Sequence, residues 1–521
     1  MAKKKTAGKT EKKRPKFDSK ALDSSTVAVP MVEEMQRTSG SDLMPVIIDL
    51  NLLYPKGRKG ARTMVRKLIK QLVAQRGDSS KGSGLDSGKN KYCPQYVFAH
   101  LSKGEIEELV RLDCQTHSGS SRGAIYKIWP DFEVEAHLTD SVSTVKADAA
   151  RAAFGAAGDG QVWAVIDSGI DGTHEHFKEH ENLTLKDPLS HRDFVGTGSP
   201  LKNPKDDFGH GTHVAGIIAG EIPALGQRRR QPEDTPGEEG EPVVKEVFGS
   251  SRERDNAGDA IYDSWSLRSI SGIAPRAKLV SLKVLDENGR GPVSNLMAAI
   301  GYVLQVNDRW RHIHGVNLSV GYEFDAEWFA CGQSPLCVEV NRLVRSGVVV
   351  VAAAGNTGYG TVLSDQGQSK TGLDLTINDP GNAELAITVG ATHRSAPHIY
   401  GVSYFSSKGP TGDGRFKPDL VAPGEKVLSC AAGAKKVEIE KKLARAGAAH
   451  TTCHYRQESG TSMAAPHVSG AIAAFLSLRR EFIGEPEKVK EIFLSTATDL
   501  KRERYFQGHG LVDLMRAIQS V

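Results

Sequence analysis

Ala164-Val165-Ile166-Asp167-Ser168-Gly169-Ile170-Asp171 runs an apolar stretch straight into a carboxylate and a glycine turn. With Val162 and Trp163 before it, the stretch has no polar alternation, which is the pattern of a strand covered on both faces. Runs of the same kind recur at Lys278–Val284, Gly315–Ser319, Val348–Ala353 and Leu385–Val389. Helical periods stand among them at Ser294–Leu304, Cys337–Ser346 and Met463–Leu478. Buried strands alternating with helices predict an α/β fold, a parallel β-sheet flanked by helices. Ligands of such sheets bind beyond the carboxyl ends of the strands, which is where Asp167 falls.

Upstream the pattern changes. A strand is expected within Met44–Leu53, then a helix on which Met64, Val65, Leu68, Ile69, Leu72 and Val73 share one face. A strand around Gln95–Leu101, a helix at Glu105–Leu112 and a strand at Ala124–Trp129 follow. This order predicts a small α+β domain over 43–138, ahead of a main domain over 139–521. Residues 1–42 are polar, with nine Lys or Arg against two acidic residues in 1–20, and read as a disordered basic tail. Residues 226–262, which include Arg228-Arg229-Arg230 and Glu238-Glu239-Gly240-Glu241, read as a charged, mobile surface insert.

The 521 residues carry a formal net charge of only +4, which gives no argument for a nucleic-acid or membrane-surface partner. No apolar stretch follows the basic start, so no secretory signal is read there. The longest apolar run, Val348–Ala354, is far short of the ~20 residues of a membrane helix. The expected location is cytoplasmic, with secretion by another route left open. Six cysteines are too few to be a framework in a chain this long. Cys331 and Cys337 could bridge a loop if oxidised but are expected as free thiols.

Three separate segments carry groups suited to one reaction. Asp167 ends a strand, where an Asp is by itself as ordinary as a turn former. His210 opens a helix in Asp207-Phe208-Gly209-His210-Gly211-Thr212-His213-Val214-Ala215-Gly216. Ser462 starts another in Ser459-Gly460-Thr461-Ser462-Met463-Ala464-Ala465-Pro466-His467. There Ala465, Val468, Ile472 and Phe475 make an apolar face, and Pro466 is expected in the first turn, where its missing N–H costs nothing. A serine hydroxyl is a poor nucleophile until an imidazole takes its proton, and a carboxylate must hold that imidazole in one tautomer. At a helix start, Ser462 and its N–H face the oxygen that becomes negative in acyl transfer. Asn356, just past the apolar run at Ala352-Ala353-Ala354-Gly355, offers a second donor. His210 and His213 could also be read as a metal pair. No third ligand is evident, because His174 and His176 lie in a separate loop.

These segments resemble the subtilisin-like family of serine peptidases, the subtilases. Asp-Ser-Gly-Ile-Asp, His-Gly-Thr-His-Val-Ala-Gly and Gly-Thr-Ser-Met-Ala-Ala-Pro-His stand in that family's order, Asp then His then Ser. The resemblance covers about residues 145–521, through Gly508-His509-Gly510-Leu511-Val512-Asp513. It implies that Asp167 orients His210, that His210 is general base and then acid, that Ser462 attacks, and that Asn356 stabilises the oxyanion. It leaves His213 structural. It also implies a substrate laid as an added strand between Gly289-Arg290-Gly291 and Ser319-Val320-Gly321. A small uncharged pocket walled by Ser319–Gly321 and by Ala353, Ala354 and Gly355 would prefer apolar side chains. The N-terminal domain resembles the family's propeptide in element order, implying an intramolecular inhibitor cut near Leu138–Thr139.

The partners implied are protein or peptide substrates and the chain's own propeptide. No cofactor is implied for the chemistry. A structural calcium is compatible with the resemblance, but its ligands cannot be carried over, because the insert replaces the loop after the His210 helix. Two other readings remain open. One is a latent zymogen awaiting external activation; the other is a catalytically silent relative that binds peptides, although all four key residues are present.

Overall fold

The computed structural model describes residues 26–28, 31–32, 35–36, 38, 42–75, 84–86, 90, 94–115, 123–131, 140–223, 246–254, 260–323, 330–364 and 367–521. The chain divides into two compact units, Met1–Ala136 and His137–Val521.

In the first unit, strand β1 (Met44–Leu50) buries every second residue, so Met44, Val46, Ile48 and Leu50 face the core. Helix α1 (Gly57–Gln75) sets Ala61, Val65, Leu68, Ile69 and Leu72 against them, at the spacing of one helical face. With β2 (Gly84–Leu85), β3 (Tyr96–Leu101), helix α2 (Lys103–Gln115) and β4 (Ile125–Pro130), the strands form an antiparallel sheet in the order β2-β3-β1-β4. Ser102 and Glu105 make a capping box at the start of α2: Ser102 N–H donates to Glu105 Oε2 at 2.9 Å, and Glu105 N–H donates to Ser102 Oγ at 3.4 Å. The expected tail ends sooner than residue 42. Val27 bridges to Ile128, and Met31 and Met35 are buried in this core. Ala28, Met31 and Met35 lie at helical spacing, an apolar signal masked by the charge around them.

The second unit is built on eight strands: β5 (Val162–Asp167), β6 (His191–Asp193), β7 (Ser199–Leu201), β10 (Lys278–Lys283), β11 (Gly315–Leu318), β12 (Val349–Ala353), β13 (Ile387–His393) and β14 (Leu420–Glu425). Their order is β14-β13-β12-β11-β5-β10-β6-β7, parallel throughout except for the last pair. Successive residues go to opposite faces. Trp163, Val165, Val349 and Val351 pack with the helix Thr461–Leu478, whereas Ala164, Ile166, Val350 and Ala352 pack under helices α4 (Val293–Val306) and α5 (Pro335–Arg345). Burial on both faces explains the unbroken apolar runs. The helix Thr461–Leu478 is long and apolar enough to cross a membrane by length and composition, but it is buried inside the unit.

The expected mobile insert is partly ordered. Residues 226–245 and 255–259 lie outside the described residues, yet Val247–Arg254 (β8) and Ala260–Leu267 (β9) pair as antiparallel strands. With Val427–Cys430 (β15) and Tyr455–Glu458 (β16) they form a second sheet, β9-β8-β16-β15. The charged runs that suggested a loop, 228–230 and 238–241, lie outside the described residues, and the strands that follow bury small polar residues such as Ser250 and Ser264 instead of an apolar row.

Candidate active site

Asp167 is the last residue of β5, at the carboxyl edge, and is fully buried. Its Oδ1 lies 2.8 Å from His210 Nδ1 and also accepts the Ser168 N–H at 2.7 Å. A carboxylate only accepts, so Nδ1 carries the imidazole proton and Nε2 is left basic. His210 starts helix α3 (His210–Ile218). The close approach depends on Gly211, where a Cβ would stand 2.2 Å from Gly169 O and 3.0 Å from Asp167 Cβ.

Asp206, which the sequence reading overlooked, supplies the cap that Gly209 cannot. Its carboxylate accepts from Ser168 Oγ at 2.8 Å, Gly209 N at 2.7 Å, Thr212 N at 2.8 Å and Thr212 Oγ1 at 2.6 Å. An acid just ahead of a helical motif was the available signal. His213 is buried, with Nε2 donating to Arg456 O at 3.1 Å, and burial holds its pKa well below that of a free imidazole. Among the described residues no group of three or more His, Cys, Asp or Glu could hold a metal. His174 and His176 are buried, with Nε2 of His174 on His454 O and Nδ1 of His176 on the Tyr455 hydroxyl. Cys331 and Cys337 are buried free thiols.

Ser462 is the second residue of the helix α7 (Thr461–Leu478). Pro466 therefore sits in the second turn, not the first as expected, and withholds the N–H that would meet the Ser462 carbonyl. Ser319 Oγ replaces it, donating to Ser462 O at 2.9 Å. The Ser462 hydroxyl donates to Ser319 O, also at 2.9 Å. Asn356 Oδ1 accepts from Thr461 N at 2.9 Å and from Thr461 Oγ1 at 3.1 Å, which leaves its Nδ2 donors for a ligand.

His210, Ser462 and Asn356 line one groove of about 530 Å³. Gly289, Arg290, Gly291, Ser319, Val320, Gly321, Ala353 and Gly355 line it too, as do the unforeseen Phe208, Leu285, Thr357 and Asn378. Ala354 does not: its neighbours Ala353 and Gly355 face the groove, while Ala354 is fully buried and its N–H is paired with Val389 O. A larger hollow of about 1290 Å³ beside Lys178, His180 and Arg276 shares no residue with this groove, and its one serine, Ser190, has its hydroxyl on Tyr302 while His191 Nε2 meets Leu183 O. The expected junction, Leu138–Thr139, lies outside the described residues.

A carboxylate-bound imidazole and a helix-start serine at the carboxyl edge of a parallel sheet are the equipment of a serine hydrolase. The chain belongs to the subtilase family, whose model matches residues 158–510, and it is a serine endopeptidase. It is 28% identical over 385 residues to serine protease AprX of Bacillus subtilis (strain 168), which covers 72% of this chain and 70% of AprX. It is 30% identical over 348 residues to pyrolysin of Pyrococcus furiosus, covering 60% of this chain and 21% of pyrolysin. To subtilisin E of Bacillus subtilis (strain 168) it is 28% identical over 379 residues, 73% of this chain and 70% of that protein.

Proposed function

We propose that this endopeptidase cuts proteins or peptides through Asp167, His210 and Ser462, with Asn356 donating to the oxyanion. The observation that carries this reading is the 2.8 Å contact of Asp167 Oδ1 with His210 Nδ1, beside a groove that also holds Ser462 and Asn356. His210 Nε2 takes the Ser462 proton as the hydroxyl attacks the scissile carbonyl, then returns it to the leaving amine. The positive end of α7 and the Asn356 amide stabilise the negative oxygen between these events. Gly289–Gly291 and Ser319–Gly321 flank the substrate backbone, with Ala353 and Gly355 walling the adjacent apolar pocket.

The first unit acts as an inhibitory propeptide, with self-cleavage near Leu138–Thr139. Its four-stranded sheet with helices α1 and α2 supports that role by element order alone. The test compares intact masses of wild type and Ser462→Ala after incubation. Loss of the segment up to Leu138 in the wild type alone is expected. If both stay full length, labelling of the wild type by a serine-reactive fluorophosphonate identifies a latent zymogen, and no labelling a peptide-binding relative.

A further inference from the structure

The second sheet and the helix that follows β15, α6 (Gly433–Ala446), have no part in the chemistry above. Their contacts nevertheless converge on the three residues before His210. Ala434 N–H donates to Asp207 O at 2.8 Å, and Lys435 N–H donates to Phe208 O at 3.1 Å. The third carbonyl, that of Gly209, accepts from Arg456 Nη2 at 3.1 Å. Arg456 also takes the Nε2–H of His213 on its own carbonyl at 3.1 Å. It thereby holds the first turn of the His210 helix at both ends, from a strand that leads six residues later to Ser462.

Arg456 is itself fixed. It is 4% exposed, and its Nη1 pairs with Glu458, whose carboxylate also holds Lys435 Nζ at 2.8 and 3.0 Å. Strand β8 pairs with β16 at Tyr455 and Arg456, and β15 pairs along its whole length. The guanidinium is a rigid fork that spans two acceptors, Glu458 and Gly209 O. An ammonium is a point donor and cannot hold both in the same way.

We propose that Arg456 is a positioning residue: it sets His210 relative to Ser462 without touching substrate. The inference rests on the catalytic reading of those two residues. Displacing a base from its nucleophile by about 1 Å can cost about 10²-fold in rate.

The test uses the full chain as wild type, Arg456→Lys, Arg456→Met and Ser462→Ala. It measures kcat and KM on a peptide p-nitroanilide with an apolar residue before the scissile bond, the rate of fluorophosphonate labelling, and the thermal midpoint. In folded variants KM should stay within about twofold. Turnover and labelling should fall together, by about tenfold in Arg456→Lys and about 10²-fold in Arg456→Met. Wild-type turnover and labelling in folded Arg456→Lys, or a loss confined to KM, overturns the proposal. Should Arg456→Met fail to fold, Arg456→Lys decides alone. Labelling that persists in Ser462→Ala, or a wild type that takes no label, instead sinks the catalytic reading and this inference with it.

Discussion

Ser319 and Ser462 are joined twice, each hydroxyl donating to the other's carbonyl at 2.9 Å. The Ser462 carbonyl needs that partner because Pro466 has no N–H to give it. Ser319 Oγ is itself aimed by Asn317 Nδ2 at 2.8 Å, and Asn317 Oδ1 by Ser469 Oγ at 2.9 Å. Ser319→Ala strips the donor from a part-buried carbonyl and is expected to cost about 1–2 kcal/mol. Adding Pro466→Ala returns a helical N–H and should recover more than half of the loss. Urea unfolding of both, in a Ser462→Ala background to prevent autolysis, checks the pair. Additive losses would mean the two residues do not share one acceptor.

Asn356 should matter to turnover and little to binding. Its oxygen is committed to Thr461, so only Nδ2 can meet an oxyanion. Asn356→Ala is expected to lower kcat by about 10²–10³-fold with KM nearly constant, the magnitude known for such a donor in subtilisin. Steady-state kinetics decide: a loss seen only in KM would assign Asn356 to substrate binding instead.

What the sequence discloses and what it hides divide along physical lines. Strands such as Val162–Asp167 and Val349–Ala353 are legible because both faces are buried, so every residue ahead of Asp167 in the first, and every residue of the second, is apolar. Asp167, His210, Ser462 and Asn356 are legible because they stand at the ends of such elements in short, dense segments. Asp206 and Arg456 are not. Asp206 reads as an ordinary surface acid until Ser168 and Thr212 close on it, and Arg456 meets Gly209 across 247 residues of chain. The hairpin 247–267 was hidden for a related reason. Its strands bury Ser250 and Ser264 and expose Ile261, so no apolar alternation marks them, and they are held by pairing with each other and with β16.

Asp206 should prove as sensitive as a catalytic group in turnover, though it acts through His210. Asp206→Asn keeps the shape but replaces one acceptor oxygen with a donor, facing hydrogens of Ser168, Gly209 and Thr212. Losing hydrogen bonds to a buried charge costs about 1.5–3 kcal/mol each, so a lowering of stability by about 3 kcal/mol is expected. Turnover should fall while KM holds. A folded Asp206→Asn enzyme with wild-type kcat would show that the α3 cap is dispensable for positioning His210.

Acid should destabilise the second unit before its carboxylates protonate. Burial lowers the pKa of His174, His314 and His467 to about 4, and that of His176 to about 3. For His467 the geometry agrees: Nδ1 lies 2.7 Å from Met463 O, and Nε2 is buried with no partner among the described residues. A free imidazole titrates near about 6.5, so from there down to about pH 4 the unfolded chain binds protons that the folded chain refuses. Stability is therefore level above about pH 6.5 and falls as pH drops below it, by about 1.4 kcal/mol per pH unit for each such proton. Urea unfolding of Ser462→Ala between about pH 6.5 and 5 measures the slope largely clear of carboxylates, which titrate near about 4. Adding His467→Asn should reduce the slope by close to one proton, whatever it does to absolute stability. An unchanged slope would show that His467 takes its proton as readily in the folded chain as in the unfolded one.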